Sequence, residues 1–318
     1  MKESPLPLKQ VDRVEVLTLM DNYSDSLLGD TEVVKRPNLM EGDEVPRDAL
    51  VAEHGLSLLI TLFKDGEKST ILMDTGHTEF GVPHNMSKLG IDPKGIDVIV
   101  MSHAHMDHTG SLNTLLDRVG KKIPLVLHPD AFMFPRYKEL SDGKKVRFPR
   151  TLVREDLERR QVQIIETREP TLILDGLVLV TGEVERNTDF EKGLPGAFVE
   201  KDGRMEKDTM PDDQSLVLHL KGKGLVVISG CSHSGIVNTV QYAQKVVGVE
   251  AIHAVLGGFH LTGPPFEPII DRTIYEIQRF DPKVVVPMHC TGWKAMHRFA
   301  ETFSDAFVLN SVGSTITL

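Results

Sequence analysis

The chain has few cysteines, no long apolar run and no excess of basic residues. Its two cysteines, Cys231 and Cys290, each adjoin a candidate metal motif, which favours reduced thiols in a cytoplasmic protein over a structural disulfide. No apolar run approaches the ~20 residues that a membrane span needs, and the N-terminal segment lacks the apolar core of a signal peptide. The formal net charge of −10 argues against a nucleic-acid surface, because phosphate binding needs clustered Lys and Arg. We therefore expect a cytoplasmic protein that binds neither nucleic acid nor a membrane.

The rest of the composition, 40% apolar and 26% charged residues, is ordinary for a globular protein. Each half of the chain begins with strand patterns and continues with strands that alternate with helices, which fits two sheets packed face to face with helices outside. The segment 236–247 has helical periodicity, with Ser234 as its N-cap. We predict a single domain over residues 1–318, with an N-terminal extension or lid at about 24–50 and inserted segments at about 130–160 and 185–212. The first insertion is predicted to be helical in parts, and the second is predicted to be a long loop.

The segment 102–110 contains four potential metal ligands within six residues: His103, His105, Asp107 and His108. It directly follows the apolar run 96–101, which is typical of a buried strand. Ligands that must converge on one point are held best at the end of a rigid strand. Residues two apart in an extended segment face the same way, so His103 and His105 can bind one ion together. Asp107 and His108 then lie at the turn into an amphipathic segment and face a second ion or the other side of the first.

Polar residues follow other predicted strands in the same way. Asp74 comes directly after the strand pattern at 70–73, and Cys231 and His233 come after the pattern at 225–228. His260 and His289 follow two later strand patterns, at 251–256 and 284–286. These strand ends are therefore the candidate sources of further metal ligands and substrate contacts.

The pattern His-x-His-x-Asp-His resembles the signature of the metallo-β-lactamase superfamily. The resemblance implies an α/β (α+β) fold, a four-layer αββα sandwich in which Asp107 and Asp74 are catalytic residues and Asp74 supports the ligand histidines. The metal ligands that it implies are His103, His105 and His233 for a first ion and Asp107, His108 and His289 for a second. Cys231 stands where the superfamily commonly has a metal-bridging aspartate, and it either bridges the ions or stands aside. Asp213 is an alternative to His233, and His260 is a candidate substrate or ligand contact.

The motifs between about residues 50 and 292 together resemble one subgroup of that superfamily. They include His54-Gly55-Leu56, Gly230-Cys231-Ser232-His233, Gly257-Gly258-Phe259-His260 and His289-Cys290-Thr291-Gly292. The subgroup contains metal-dependent hydrolases that resemble 7,8-dihydropterin-6-methyl-4-(β-D-ribofuranosyl)aminobenzene-5'-phosphate synthase.

The resemblance implies a metal-dependent hydrolase in which one or two divalent ions, Zn, Fe or Mn, activate water for attack on an ester, lactone or phosphoester bond. Two alternatives stay open: a synthase-like transferase, and a non-hydrolytic metal-binding or redox protein. Arg186 and His54 are candidates for recognition of an anionic small-molecule substrate, although a solvated loop arginine explains Arg186 equally well. A homodimer through an exposed sheet edge or the 130–160 segment also fits the sequence.

Overall fold

A computed structural model describes residues 4–38, 40, 42–160 and 162–318. The strands within these ranges are β1 Gln10–Val11, β2 Arg13–Met20, β3 Val34–Lys35, β4 Ser57–Lys64, β5 Glu67–Met73, β6 Val98–Val100, β7 Pro124–Leu127, β8 Arg136–Glu139, β9 Lys145–Arg147, β10 Gln163–Glu166, β11 Thr171–Ile173, β12 Val178–Val180, β13 Ala197–Lys201, β14 Arg204–Lys207, β15 Ser215–Leu220, β16 Gly224–Ser229, β17 Ile252–Gly258, β18 Val284–Met288 and β19 Thr315–Thr317. The α-helices are α1 Gly81–Lys88, α2 Met106–Thr109, α3 Leu112–Val119, α4 Arg154–Arg159, α5 Ile236–Val247, α6 Ile270–Arg279 and α7 Trp293–Thr302. Short 3₁₀ turns occur at Pro93–Gly95, Pro129–Phe132, Leu174–Gly176, Glu267–Ile269 and His289–Thr291.

Two large sheets form the centre of the fold. The first has the spatial order β10-β7-β6-β5-β4-β2-β19-β3, and the second has the order β11-β12-β15-β16-β17-β18 with β1 beside β15. A core of buried aliphatic side chains from both sheets lies between them. Helices α1 and α3 cover the outer face of the first sheet, and α5, α6 and α7 cover the outer face of the second. The predicted αββα sandwich is therefore confirmed.

The alternation of side chains along the strands explains the layers. In β4, Leu58 and Ile60 point into the core between the sheets, whereas Leu59 packs with the helices of the outer layer. In β16, Val226 points to the same central core and Val227 to the opposite helical layer. Strands that bury both faces read as continuous apolar runs, which is why these segments are easy to identify as strands.

The direction of the strands gathers their carboxyl ends. Strands β5, β6 and β7 run parallel in the first sheet, and β16, β17 and β18 run parallel in the second. Parallel strands end at the same edge of a sheet, so the segments that follow them emerge side by side. Most of the metal ligands predicted from the sequence lie in these segments.

A smaller sheet corrects the prediction for the two inserted segments. It has the order β14-β13-β8-β9, so the segment 130–160 and the segment 185–212 pair with each other through β8 and β13. The predicted helical parts are right only for Pro129–Phe132 and Arg154–Arg159. The prediction of an unbroken long loop at 185–212 is wrong, because Ala197–Lys201 and Arg204–Lys207 form a hairpin.

The predicted N-terminal extension is fastened to the edge of the first sheet. Strand β3 pairs with β19, and the Arg36 guanidinium donates to the hydroxyl of Ser314 at 2.5 Å and to the carbonyl of Leu309 at 2.9 Å. Positions 39 and 41 of this segment, like positions 1–3 and 161 elsewhere, lie outside the described residues. Among the described residues, no helix combines the length and apolar character needed to cross a lipid bilayer.

Candidate metal centre

The loop after β6 is held in place by the loop after β5. The Asp74 carboxylate accepts hydrogen bonds from the backbone N–H of Ser102 at 2.7 Å and from the Ser102 hydroxyl at 2.6 Å. The N–H of Thr75 donates to the carbonyl of His108 at 2.6 Å. These bonds fix the backbone that presents the His-x-His-x-Asp-His motif.

Two glycines allow the strand ends to approach this closely. A Cβ atom on Gly110 would overlap the carbonyl group of His77, and a Cβ atom on Gly230 would overlap the Ser102 side chain. The absence of a side chain at Gly110 lets the loops after β5 and β6 pack together, and its absence at Gly230 lets the end of β16 pack against the loop after β6. Close backbone approach is a recurrent reason for glycine at such positions.

His103, His105 and His233 form the first group of candidate ligands. One nitrogen from each imidazole lies within 4.8 Å of the others. The Nε2 atoms of all three are buried and have no hydrogen-bond partner. Burial lowers the pKa of His103 and His233 well below the ordinary value and lowers the pKa of His105 to about 4. At neutral pH these imidazoles are therefore uncharged and can bind a cation through a lone pair.

Asp107, His289 and His54 form the second group, with their donor atoms also within 4.8 Å of one another. Oδ2 of Asp107 lies 3.2 Å from Nε2 of His289 and 3.5 Å from Nε2 of His54. Burial opposes the ionisation of Asp107, but His108 and His289 hold the pKa of its carboxyl group below the ordinary value. His54, a predicted substrate contact, thus lies beside predicted ligands.

His108 and Cys231 lie between these groups. Nδ1 of His108 is 2.7 Å from the Asp74 carboxylate, and Nε2 is 3.2 Å from Sγ of Cys231. Although burial opposes the charged form, Asp74 and Asp107 raise the pKa of His108 to about 9. Burial raises the pKa of the Cys231 thiol. The sulfur of Cys231 also lies within 4.8 Å of ligand atoms of His103, His233, His260, His289 and Cys290. It therefore occupies a central position among the candidate ligands.

Backbone strain is concentrated at the strand ends that form the site. Asp74, Ser232, His260 and His289 all have a positive φ, between 44° and 60°. Such conformations are unfavourable for residues with a side chain and persist where the surrounding structure imposes them. At His260 and His289 the strained backbone carries an imidazole with a buried, unpartnered nitrogen.

Several supporting residues were missed by the sequence analysis. Asn22, just beyond β2, has its Oδ1 3.1 Å from Nδ1 of His289 and donates to the His289 carbonyl at 3.1 Å. Asp21 accepts from the N–H of His289 at 2.9 Å. Both residues follow a strand that was predicted correctly, so the rule applied to the other strand ends would have identified them.

Three predicted residues have other surroundings. Asp74 has a fully buried side chain that bonds Ser102 and His108, so it orients a ligand rather than facing a substrate. Asp213 accepts from the N–H of Ser234 at 2.8 Å, next to His233. Arg186 donates to the carbonyl of Thr209 at 2.5 Å. This contact does not place its guanidinium beside the histidines.

Two pockets adjoin the histidines. One is lined by His105, Phe134, Phe148 and Arg150, among others. The second, of about 110 Å³, is lined by His233 and His260 together with apolar residues that include Phe266. The first, of about 20 Å³, has room for little more than a water molecule, whereas the second gives a small molecule a route toward His233 and His260.

The donor atoms fit a divalent metal ion. If Nδ1 of His289 donates to Asn22, its Nε2 lone pair faces the Asp107 carboxylate at 3.2 Å, an arrangement that a metal ion bound to both atoms would stabilise. Two tetrahedral ligands at ~2.1 Å from a zinc ion lie ~3.4 Å apart, close to the observed separation. Imidazole, carboxylate and thiol donors suit Zn, Fe or Mn, so the residues fit the expected group.

Comparisons with known proteins identify the family of this chain. The family model described as the metallo-beta-lactamase superfamily matches residues 52–190. The 7,8-dihydropterin-6-methyl-4-(beta-D-ribofuranosyl)-aminobenzene-5'-phosphate synthase of Methanocaldococcus jannaschii is 35% identical over 268 residues, which cover 83% of this chain and 90% of the relative. An uncharacterized protein of the same organism is 32% identical over 267 residues, 83% of this chain and 93% of that relative.

A solved structure shows the same similarity. The crystal structure of a metal-dependent hydrolase of the beta-lactamase superfamily superposes with a TM-score of 0.71 at 25% sequence identity, covering 96% of this chain and 98% of the other. The predicted resemblance to the superfamily and to its synthase-like subgroup is thereby confirmed. The chain belongs to the metallo-β-lactamase superfamily.

Proposed function

We propose that this protein is a metal-dependent hydrolase that uses one or two divalent ions to cleave an ester, lactone or phosphoester bond. The supporting observation is the convergence of buried imidazole nitrogens without hydrogen-bond partners on His103, His105, His233 and His289. Buried polar atoms are almost always paired, so an unpaired cluster of this size indicates a ligand. The neutral lone pairs described above make that ligand a cation.

His103, His105 and His233 would hold one ion, and Asp107, His108 and His289 would hold a second, with His54 beside them. A bound divalent ion supplies positive charge that lowers the pKa of water and polarises the oxygen of the substrate bond. The chain itself supplies the orientation of the ligands: Asp74 holds Nδ1 of His108 at 2.7 Å, and Asn22 holds Nδ1 of His289 at 3.1 Å. Partners of this kind fix the tautomer and the ring orientation of ligand histidines.

Asp107 is the carboxylate to which we assign the orientation of the attacking water molecule. Its side chain is 12% exposed, whereas that of Asp74 is fully buried. Its low pKa keeps it ionised at neutral pH, so it can accept a hydrogen bond from an attacking water molecule. We assign Asp74 a positioning role behind His108.

The test is an activity screen on protein loaded with Zn, Mn or Fe. Chromogenic carboxylic esters, lactones and phosphodiesters should include at least one class that is turned over, and the double variant His103→Ala/His105→Ala should lose that activity. His297→Ala, on the exposed face of α7, is the matched control and should retain it. Absence of turnover in every class with metal-loaded protein, or turnover that survives in the double variant, would contradict the proposal.

The second candidate is a synthase-like transferase, supported by the 35% identity to the dihydropterin ribofuranosylaminobenzene phosphate synthase. Incubation of the metal-loaded protein with 6-hydroxymethyl-7,8-dihydropterin diphosphate and 4-(β-D-ribofuranosyl)aminobenzene 5'-phosphate would then join the pterin methylene to the aryl amine and release pyrophosphate. Pyrophosphate release without ester turnover would favour this candidate over the hydrolase.

A further inference from the structure

Two arginines share one aromatic ring at the edge of the pocket beside His105. The guanidinium carbons of Arg147 and Arg150 each lie 5.7 Å from the centre of the Phe134 ring. Phe134 is 37% exposed, and Arg147 and Arg150 are both exposed. Phe134 and Arg150 line the pocket together with His105. A strongly basic and aromatic patch therefore borders a predicted metal ligand.

The segment that carries these arginines is fixed against the His-x-His motif. The Phe148 ring lies 5.0 Å from the His105 ring, and the N–H of Phe148 donates to the carbonyl of Arg136 at 2.9 Å. The hydroxyl of Thr151 donates to the carbonyl of Ala104 at 3.3 Å. Because Phe148 directly follows Arg147 and Thr151 directly follows Arg150, the two arginines lie on a segment that is attached to the candidate metal centre.

The charges of this pair are not neutralised within the protein. Among the described residues, neither Arg147 nor Arg150 has a carboxylate within ion-pair distance. Two other arginines of the same inserted segment do have carboxylate partners: Arg136 pairs with Asp208 and Asp212, and Arg154 pairs with Glu166. Two like charges on one ring repel each other, and an anion between them would remove that repulsion.

We infer that Arg147 and Arg150 bind a negatively charged group of the substrate, a phosphate or a carboxylate, while Phe134 and Phe148 contact the apolar body that carries it. This inference rests on the proposed function, since it places the reacting bond of the same molecule near His105. The guanidinium fork matches both oxyanions by bidentate hydrogen bonds. The ligand class is therefore a small aromatic or apolar oxyanion rather than a neutral ester.

The test measures binding without turnover, by isothermal titration calorimetry on the metal-loaded full-length protein. The probes are benzoate, phenylphosphonate, which has no ester bond to cleave, and the neutral analogue benzamide. The test variant is Arg147→Gln/Arg150→Gln. The matched control is Arg204→Gln, which changes an exposed arginine on β14, at the opposite edge of the same small sheet from β9.

We expect the double variant to bind benzoate and phenylphosphonate about tenfold more weakly or worse, as lost hydrogen bonds to a charged group predict. Benzamide affinity should stay unchanged, and the Arg204 variant should match the wild type for every probe. The double variant Arg147→Lys/Arg150→Lys keeps the charge but not the fork, so it should recover part of the affinity. The oxyanion that loses more affinity in the glutamine variant identifies the preferred group.

Equal binding of both anions by the wild type and the glutamine variant would overturn the inference, as would an equal loss for benzamide. Bound metal contributes equally to the proteins compared, so it does not mimic the effect. A protein that hydrolyses nothing but shows the anion effect contradicts the proposed function alone, whereas a hydrolase without the anion effect contradicts this inference alone.

Discussion

The carboxylate of Asp74 lies 2.7 Å from Nδ1 of His108, on the side of the ring away from Cys231. The same carboxylate accepts from the backbone N–H of Ser102, immediately before His103. One buried side chain therefore orients a histidine of the cluster and fixes the loop that carries two others.

The first prediction is that Asp74→Asn weakens metal binding about 10–100-fold, the usual effect of removing a carboxylate behind a ligand histidine. The neutral amide is a weaker acceptor for the N–H at Nδ1 of His108, so the ring is oriented less firmly and its Nε2 is a weaker donor to a metal ion. Competition with a chromophoric chelator measures the affinity. Asp97→Asn is the control, because Asp97 accepts a backbone N–H from Thr70 at 2.8 Å at the opposite end of β5 and β6. An unchanged metal affinity in the Asp74 variant would show that its carboxylate has no role in orienting ligands.

The second prediction concerns the ligands themselves. His103→Ala/His105→Ala removes two of the three imidazoles of the first group, and the remaining His233 cannot hold an ion alone. Elemental analysis of freshly purified protein should show the loss of at least that ion relative to the wild type, while His297→Ala keeps full metal content. Full stoichiometry in the double variant would refute the ligand assignment, whatever the activity.

The sequence was sufficient to locate the strand ends that carry these histidines. The runs before His103, Cys231 and His289 are buried on both faces, so they appear as uninterrupted apolar segments. Asn22 also directly follows a predicted strand, β2. The expectation that polar residues after a strand belong to the site therefore applies to it as well, although the sequence prediction does not include it. The sequence leaves His54 as a possible metal or substrate contact, because it does not reveal that Nε2 of His54 lies 3.5 Å from Oδ2 of Asp107.

The small sheet was not predictable by the same reasoning. Its strands Arg136–Glu139 and Arg204–Lys207 are polar and, apart from the buried Arg136, partly or fully exposed, so they have no apolar alternation that would indicate a strand. Strand Arg136–Glu139 is held by pairing with a segment that is distant in sequence, for example Tyr137 with Phe198, and local patterns do not contain this information. Arg204–Lys207 instead forms a hairpin with the preceding strand across Asp202-Gly203, a turn that the sequence does contain.

The third prediction follows from the buried ion pairs that join this sheet to the site. Arg136 bonds both oxygens of Asp212, at 2.6 and 2.9 Å, and Asp212 accepts from the N–H of Ala104 at 3.1 Å. Arg136→Met would leave Asp212 and Asp208 buried without their partner, so the free energy of unfolding should fall by about 3–5 kcal/mol. Urea denaturation measures this loss.

The control for Arg136 is Arg279→Met, which breaks the surface pair with Glu276. That change should cost less than about 1 kcal/mol, because exposed ion pairs contribute little. Equal effects of the two substitutions would mean that the buried arginine is not required to compensate the aspartates.

The fourth prediction concerns the beginning of α5, where the expected N-cap was wrong. Gly235 occupies the N-cap position, and Ser234 makes no capping bond. The Glu191 carboxylate instead accepts from the N–H groups of Val237 and Asn238, both at 2.9 Å. A carboxylate at a helix N-terminus satisfies free N–H groups and interacts favourably with the helix dipole.

Burial nevertheless raises the pKa of Glu191 to about 7, above its ordinary value of 4.5. Between these values the folded chain retains a proton that the unfolded chain releases, so the contribution of Glu191 to stability falls as the pH rises through this window.

The variant Glu191→Gln has no carboxyl group at this position and cannot titrate. The variant loses one acceptor and should be less stable at low pH, but its Tm should fall less than that of the wild type between about pH 5 and pH 7.5. Thermal unfolding at several pH values measures the difference, with the exposed Glu169→Gln as a control that keeps the wild-type slope. Parallel Tm profiles for the wild type and the Glu191 variant would show that the carboxylate stays ionised in this pH range, because the bonds to Val237 and Asn238 would then outweigh the cost of burial.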